Sequence, residues 1–573
     1  MFFMLLSPNA ELRLQIYLLN SRLELSAVWH LFVKPYLEVA KAIVVWSWLV
    51  VDMENAEPNK KMLDKSQETI DYRDLEKYLF CGLYQIIVAI IYQIASFIFG
   101  FNLIFMPFMI FEPTWRCDSP RNTSSDLFNG SLSSDRCAML RNGECSGPTW
   151  YNVSFHSIVS EWDLVCDKKH IVYDILSIQM AALLLGTLLI GRMADRFGRK
   201  PVLLSTMIGQ GVLGIATAFA NSWQVFATCR FFAGLFGAGL MSVVGVYVVE
   251  NVSKSNRLLI IAIGGVNIGI AFSSLLAFAF QHWRPLSIAA SSFGFVTALL
   301  LVGTRETPRW LIQHGKTEEA RKSYRYILRI NRKQAEQMTD EQWDTLIEYA
   351  QRRSGKRPTF CDLFRRRELF TQTVVLSYSM FVMKLVSSLL MFSMDDLVGS
   401  IYLNSAIYGL FNWLGGLVCS FVDRIFRRFG RKHMVGTLLS VVIVCMLCMT
   451  LEKWLELNHH SLQRAVVFVA AFASSPLWIS LSLVIMESFP TALRSTVSGI
   501  SSTLVNVGGL VVPQLLWWGT IWKPIPWIVV VVVAVSSQLT FLLKISETKG
   551  KPLMEGIGHR DETLAPPNIE LKK

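Results

Sequence analysis

Asp, Glu, Lys and Arg are missing from long stretches of this chain: 79–111, 175–191, 201–229, 231–249, 258–281, 285–304, 369–383 with 385–394, 397–422, 434–451, 465–486, 495–522 and 524–543. An α-helix needs roughly 20 apolar residues to cross a bilayer core. Unbroken runs, rather than short segments of alternating polarity, point to helices and away from a membrane β-barrel. The runs predict twelve membrane-spanning helices, one of them interrupted by Lys384, in an all-α polytopic membrane protein.

Composition agrees. Of 573 residues, 52% are hydrophobic and only 17% charged, against about a quarter charged in soluble domains. The formal charge of +12 does not indicate nucleic acid, because the basic runs at 192–200, 254–257, 305–367 and 424–432 fall in alternate loops. Cytoplasmic loops of membrane proteins retain Lys and Arg in this way. The loop 112–170 differs: it holds Cys117, Cys137, Cys145 and Cys166 and the sequons at Asn122, Asn129 and Asn152. Cysteines beside glycosylation acceptors mark an oxidising, extracytoplasmic compartment, with two disulfides in one of three pairings. Both signals place this loop outside and both termini inside, so the sequon at Asn251 is expected to stay bare. In residues 1–75 the apolar run Ala42–Val51 is too short to span; an interfacial amphipathic helix in a cytoplasmic extension is expected.

Three motifs repeat in the same order. RFGRK stands at Arg196–Lys200 and Arg428–Lys432, Glu with Arg seven residues on at Glu250/Arg257 and Glu487/Arg494, and Glu-Thr at Glu306-Thr307 and Glu547-Thr548. Their near-constant offset implies two six-helix halves, 76–304 and 369–546, joined by a cytoplasmic linker 305–368 and followed by a tail 547–573. Asp195, Arg196, Gly198, Arg199, Glu250, Arg257, Arg428, Arg431, Glu487 and Arg494 lie at helix ends on the basic-loop side. Charges there that pair in one conformation and part in another bias a two-state equilibrium, so these residues are the expected gate.

GRMADRFGRKP at Gly191–Pro201 resembles the signature loop of the major facilitator superfamily. SIVSEWDLVCDKKH at Ser157–His170, ETPRWLIQHGK at Glu306–Lys316, GSIYLN at Gly399–Asn404, ESFPTALRS at Glu487–Ser495 and SETKGKPL at Ser546–Leu553 resemble solute carrier family 22, the organic cation, anion and carnitine transporters. The resemblance implies facilitated or exchange transport of organic ions at a plasma membrane. This chain departs from the family pattern in places. Arg427 stands where the first signature loop has Asp195, Ser387, Ser388 and Leu389 stand where the family has an aromatic pair and Gly, Asn412 stands where cation carriers tend to have an acidic residue, and Asn506 stands where cation carriers have an acidic residue and anion carriers a basic one.

An ionisable group inside a span is functional by default. Helices 7, 8, 10 and 11 carry no Asp or Glu well inside them, whereas Lys384 and Arg230 are intramembrane cations. A small organic anion or zwitterion is therefore favoured as substrate, with Lys384, Arg230, Asn506, Asn412, Ser387, Ser388 and Gln93 as the expected contacts. No phosphate-binding glycine loop or metal-ligand spacing appears, so no enzyme, cofactor or ATP-driven pump is expected. Membrane lipid is the other expected partner, and no protein partner is legible. A transport-silent receptor with the same fold, or a sugar-porter-like carrier, is the alternative.

Overall fold

The computed structural model describes residues 82–117, 133–143, 147–151, 153–252, 260, 265–332, 343–344, 347, 366–394, 397, 399–425, 430–456, 459–489 and 491–548. The expected amphipathic helix in 1–75, the tail beyond 548, Arg257, Arg428, Cys145 and the sequons at Asn122, Asn129 and Asn152 lie outside them, as does the side chain of Cys117.

Long helices occupy every apolar run. In chain order they are α1 Leu83–Met109, the short α2 Ser133–Arg141 and α3 Ile158–Glu161, α4 Lys169–Phe197, α5 Arg199–Thr217, α6 Trp223–Asn251, α7 Gly265–Phe280 and α8 Trp283–Val302. The short α9 Pro308–Gln313 and α10 Thr317–Ile330 precede α11 Arg367–Phe392, α12 Ile401–Ile425, α13 Arg431–Leu455, α14 His460–Ser488, α15 Thr491–Ile521 and α16 Ile525–Lys544. Among the described residues nine of these helices are long and apolar enough to cross a membrane by length and composition alone. Strands β1 Trp115–Cys117 and β2 Pro148–Trp150 form a small antiparallel ribbon in the loop after α1.

Charge-free runs locate helices better than they locate turns. The run 201–229 passes through a turn: the chain bends at 218–222, where the Ser222 hydroxyl caps α6 by accepting from Val225 N, and Arg230 lies inside α6 as expected.

By spatial proximity the chain divides into two units, Met1–Lys168 with Leu189–Arg353, and Lys169–Leu188 with Ser354–Lys573. Within the first, α1 packs on α7, and α5 packs on α6 and α8. Within the second, α11 packs on α15, and α13 packs on α14 and α16. The same neighbours recur in each. Without a hydrophobic drive between helices in lipid, close association relies on small residues. Gly100 of α1 is so near α7 that an added Cβ would lie 2.0 Å from Val266 O, and Gly269 of α7 returns the approach at 2.3 Å from Phe97 O.

The EWDLVC segment ties the loop 112–170 to its unit. Glu161 pairs with Arg284 and accepts from Trp283 Nε1 at 2.5 Å. Arg284 in turn donates to Ala218 O at 2.6 Å and Ala220 O at 2.8 Å. A disulfide joins Cys137 to Cys166, and Arg141 pairs with Asp167 next to it.

Candidate functional site

Two clusters hold most of the expected functional residues. The first is a charge clasp that occurs once in each unit. α4 ends at Phe197 and α5 begins at Arg199, so Gly198 alone makes the turn, at φ +110. That backbone region favours glycine. Here a side chain would also strike Glu306, whose Oε2 is 2.6 Å from where a Cβ would stand. The Glu306 carboxylate sits on the N-terminus of α5, accepting from Lys200 N at 2.9 Å, the arrangement that a helix dipole and its free N–H groups favour. Arg199 pairs with Asp195 at 2.5 Å and reaches Glu250 at 3.5 Å. The second oxygen of Glu250 accepts from the Thr307 hydroxyl at 2.7 Å, while Thr307 also caps α9.

The second unit repeats the arrangement. An added Cβ on Gly430 would meet Glu547 Oε2 at 2.1 Å. Glu547 accepts from Arg431 N at 2.7 Å and Lys432 N at 3.1 Å. Arg431 Nε donates to Glu487 at 3.4 Å, and Thr548 donates its hydroxyl to Glu487 at 2.7 Å. All three sequence repeats thus converge on one ring per unit: arginine, glutamate, and the Glu-Thr pair.

Two details differ from the sequence reading. Glu487 is met by Arg431 instead of Arg494, which turns back to donate to Phe489 O at 3.2 Å. The pairing follows from where the ends of α13 and α14 meet, which linear spacing does not reveal. Arg196 is exposed and lies over the ring of Phe197, apart from the ring of charges. Glu306, Glu547, Thr307 and Thr548 were legible only as repeats, and the structure gives them their partners.

Burial raises the pKa of Glu306 above the usual carboxylate value near 4.5, against the lowering effect of the backbone N–H groups it accepts from. An acid raised on folding binds its proton more tightly when folded. Its contribution to stability therefore falls as pH climbs from the unfolded value through the raised one. Glu306→Gln is expected to flatten the fall of Tm as pH rises above the usual carboxylate value near 4.5, relative to wild type; parallel Tm profiles for the two proteins would refute this.

The second cluster surrounds Lys384 in the middle of α11. Its aliphatic chain lies along a Gly508-Gly509 step of α15: a Cβ on Gly509 would stand 3.1 Å from Lys384 Cε and 3.4 Å from Met180 Sδ. Lys384 is half-buried and no carboxylate pairs with it among the described residues. Asn506, two residues before Gly508, donates to Thr187 Oγ1 at 3.1 Å. Ser388 is buried with its hydroxyl unpartnered among the described residues, and the Ser387 carbonyl accepts from Tyr408 at 3.3 Å. Asn412 is buried and donates to Tyr408 O at 3.0 Å, within its own helix.

Gln93 and Arg230 belong to the other unit. The Gln93 amide is used at both ends, donating to Ile260 O at 2.5 Å and accepting from Gly265 N at 3.1 Å, which clamps α1 to the start of α7. Arg230 is buried, 3.4 Å from Asn102 Oδ1 and over the ring of Phe105.

A further repeat occurs once in each unit and was missed in the sequence. Val-Asn-x-Gly occurs at Val266–Gly269 and at Val505–Gly508. The two glycines do the same work, since a Cβ on Gly269 would meet Phe97 O and one on Gly508 would meet Phe381 O at 2.9 Å. Three residues beyond each phenylalanine stand Gly100 and Lys384. The second unit thus has a cation where the first has no side chain.

The profile described as Major Facilitator Superfamily matches residues 154–513. A Xenopus tropicalis protein named solute carrier family 22 member 15-like is 30% identical over 423 residues, 73% of this chain and 84% of that protein. The chain belongs to solute carrier family 22 of the major facilitator superfamily. Human solute carrier family 22 member 11 is 30% identical over 413 residues, 70% of this chain and 72% of that one. A Drosophila melanogaster protein named organic cation transporter protein is 26% identical over 513 residues, 83% and 92% of the two chains. The fold matches the inward-open xylose transporter XylE from E. coli with a TM-score of 0.58 at 16% identity, covering 82% of this chain and 98% of that one. This family 22 member is accordingly a polytopic membrane transporter, not an enzyme.

Proposed function

We propose that this family 22 member moves small organic anions or zwitterions across the plasma membrane by facilitated diffusion or exchange, both termini being cytoplasmic. Lys384 carries the reading. It is a cation at mid-helix with no carboxylate against it among the described residues, and its aliphatic chain packs on two glycines of α15. A cation inside a span without a protein counter-charge is costly, and a substrate carboxylate would relieve that cost. Asn506, Asn412, Ser387 and Ser388 supply hydrogen-bonding groups on the surrounding helices. A relative named for organic cations argues the other way, but a desolvated cation calls for acidic or aromatic walls, and the contacts assigned in this reading, Ser387, Ser388, Asn412 and Asn506, are neither. The duplicated clasps are the gate in this reading, closing in one conformation and opening in the other.

The test is uptake of a panel of labelled organic anions, cations and carnitine-like zwitterions by cells with confirmed surface expression. Wild type is expected to accumulate an anion or zwitterion, and Lys384→Ala to lower that uptake at least about tenfold, the worth of one charge-assisted contact of 1.5–3 kcal/mol. Undiminished anion uptake by Lys384→Ala removes the assigned role of Lys384. Uptake of cations alone reverses the sign of the substrate, and uptake of nothing favours a receptor.

A further inference from the structure

The exposed side of α10 carries a charge pattern that gating and substrate binding leave unused. The helix packs Ala320, Tyr324 and Leu328 together with Trp310, Leu311, Ile312 and Trp343 in a small apolar cluster. Helical spacing sets Lys322, Arg325, Arg329 and, just past the helix end, Arg332 along the other face, and all four are exposed. At 1.5 Å per residue they run over roughly 15 Å. The acidic residues of α10, Glu318 and Glu319, are confined to its first turn.

The height of this stripe is fixed. Asn331 caps the end of α10, accepting from Tyr84 N at 2.9 Å and donating to Gln85 Oε1 at 2.9 Å, both in the first turn of α1. Tyr326 donates to Gly303 O at 2.7 Å, at the end of α8, and Ser323 to Glu306 O at 2.6 Å. Arg329 and Arg332 flank Asn331. The basic end of α10 is therefore held where α1 and α8, two membrane-spanning helices, leave their apolar stretches, which is the depth of lipid headgroups.

We infer that Lys322, Arg325, Arg329 and Arg332 form a docking stripe for anionic phospholipid headgroups of the leaflet on the linker side. Polybasic segments at a membrane surface are attracted to anionic lipid within about a Debye length. Docking to lipid would brace α10, and through Ser323 the Glu306 arm of the first clasp. An acidic peptide would match the charge, but the attachment to the first turn of α1 matches a headgroup.

The test uses the purified full-length protein in neutral detergent, with Tm followed as phosphatidylserine or phosphatidylcholine is added. Phosphatidylserine is expected to raise Tm further than phosphatidylcholine, and added salt to weaken the difference. The variant with all four residues changed to Gln should need at least about tenfold more phosphatidylserine for the same rise. Arg325→Lys/Arg329→Lys/Arg332→Lys keeps the charge and should respond as wild type does. An undiminished phosphatidylserine response in the Gln variant overturns the inference, and so does a charge-retaining variant that behaves like the Gln variant. Inorganic phosphate, glycerophosphoserine and a polyglutamate peptide are the soluble arms; an equal Tm rise with any of them assigns the stripe to a soluble anion and overturns the lipid reading. None of these readouts depends on substrate, so the result stands apart from the uptake panel.

Discussion

Glu250→Ala is expected to lower uptake at least about tenfold and to reduce Tm. Glu250 and Arg199 keep only 10% and 12% of their side-chain surface exposed. Removing one member of a buried pair strands the other charge, at about 3–5 kcal/mol when burial is complete. Residual exposure and the neighbouring Asp195, itself 68% exposed, bring the figure toward about 2–3 kcal/mol. The Thr307 hydroxyl loses its acceptor as well, which adds about 1 kcal/mol. Glu487→Ala removes the matching member of the second clasp, where Glu487 is 24% exposed, and should destabilise less. Glu250→Gln retains hydrogen-bonding atoms without the charge and should fall between wild type and Glu250→Ala. Because the pair exists only where the helix ends meet, its loss should also shift the balance between conformations. Wild-type Tm together with wild-type uptake in Glu250→Ala would end the case for the clasp.

Gly100→Ala should be about as damaging to folding. The new Cβ would lie 2.0 Å from Val266 O, and backbone cannot swing aside as a side-chain tip can. α1 and α7 would have to part by more than 1 Å along a seam held mainly by close packing. Overpacking costs typically 1–3 kcal/mol and occasionally more, so a loss of about 3 kcal/mol and poor delivery to the cell surface are expected. Gly415→Ala, facing Phe472 O at 2.0 Å, should behave alike. Gly499 provides the control, having nothing within 4 Å of its added Cβ; Gly499→Ala should leave Tm unchanged or raise it. Equal Tm values for the Gly100 and Gly499 variants would show that helix approach is not the determinant.

The spans were legible because lipid penalises charge so heavily that charge-free stretches mark them. The same rule hid the turn at 218–222 inside one run, while Arg230 lies inside a span as expected, received by Asn102 and the Phe105 ring. The clasps were legible as repeats, since each ring needs its arginine, glutamate and Glu-Thr in both units. The choice of Arg431 over Arg494 was not, because it depends on how two helix ends meet. The glycine step beside Lys384 was overlooked for a related reason: Val-Asn-x-Gly carries no charge, and its meaning emerges only when Gly269 and Gly508 are seen against the backbone of a neighbouring helix.

The order of clasp residues along the chain has a consequence in time. Arg199 is made first, Glu250 follows, and Glu306-Thr307 comes last, after α8. At about 5–20 residues per second, Arg199 waits roughly 5–20 s on the ribosome before the residues that complete its ring exist. Arg431 waits about as long for Glu547-Thr548. Six helices must therefore be held in the membrane before either clasp can shut, and each clasp closes as its own helix set is finished. A stall in synthesis shortly before Thr307 or Thr548 would leave a nearly complete six-helix set with an open clasp, a form that quality control could recognise.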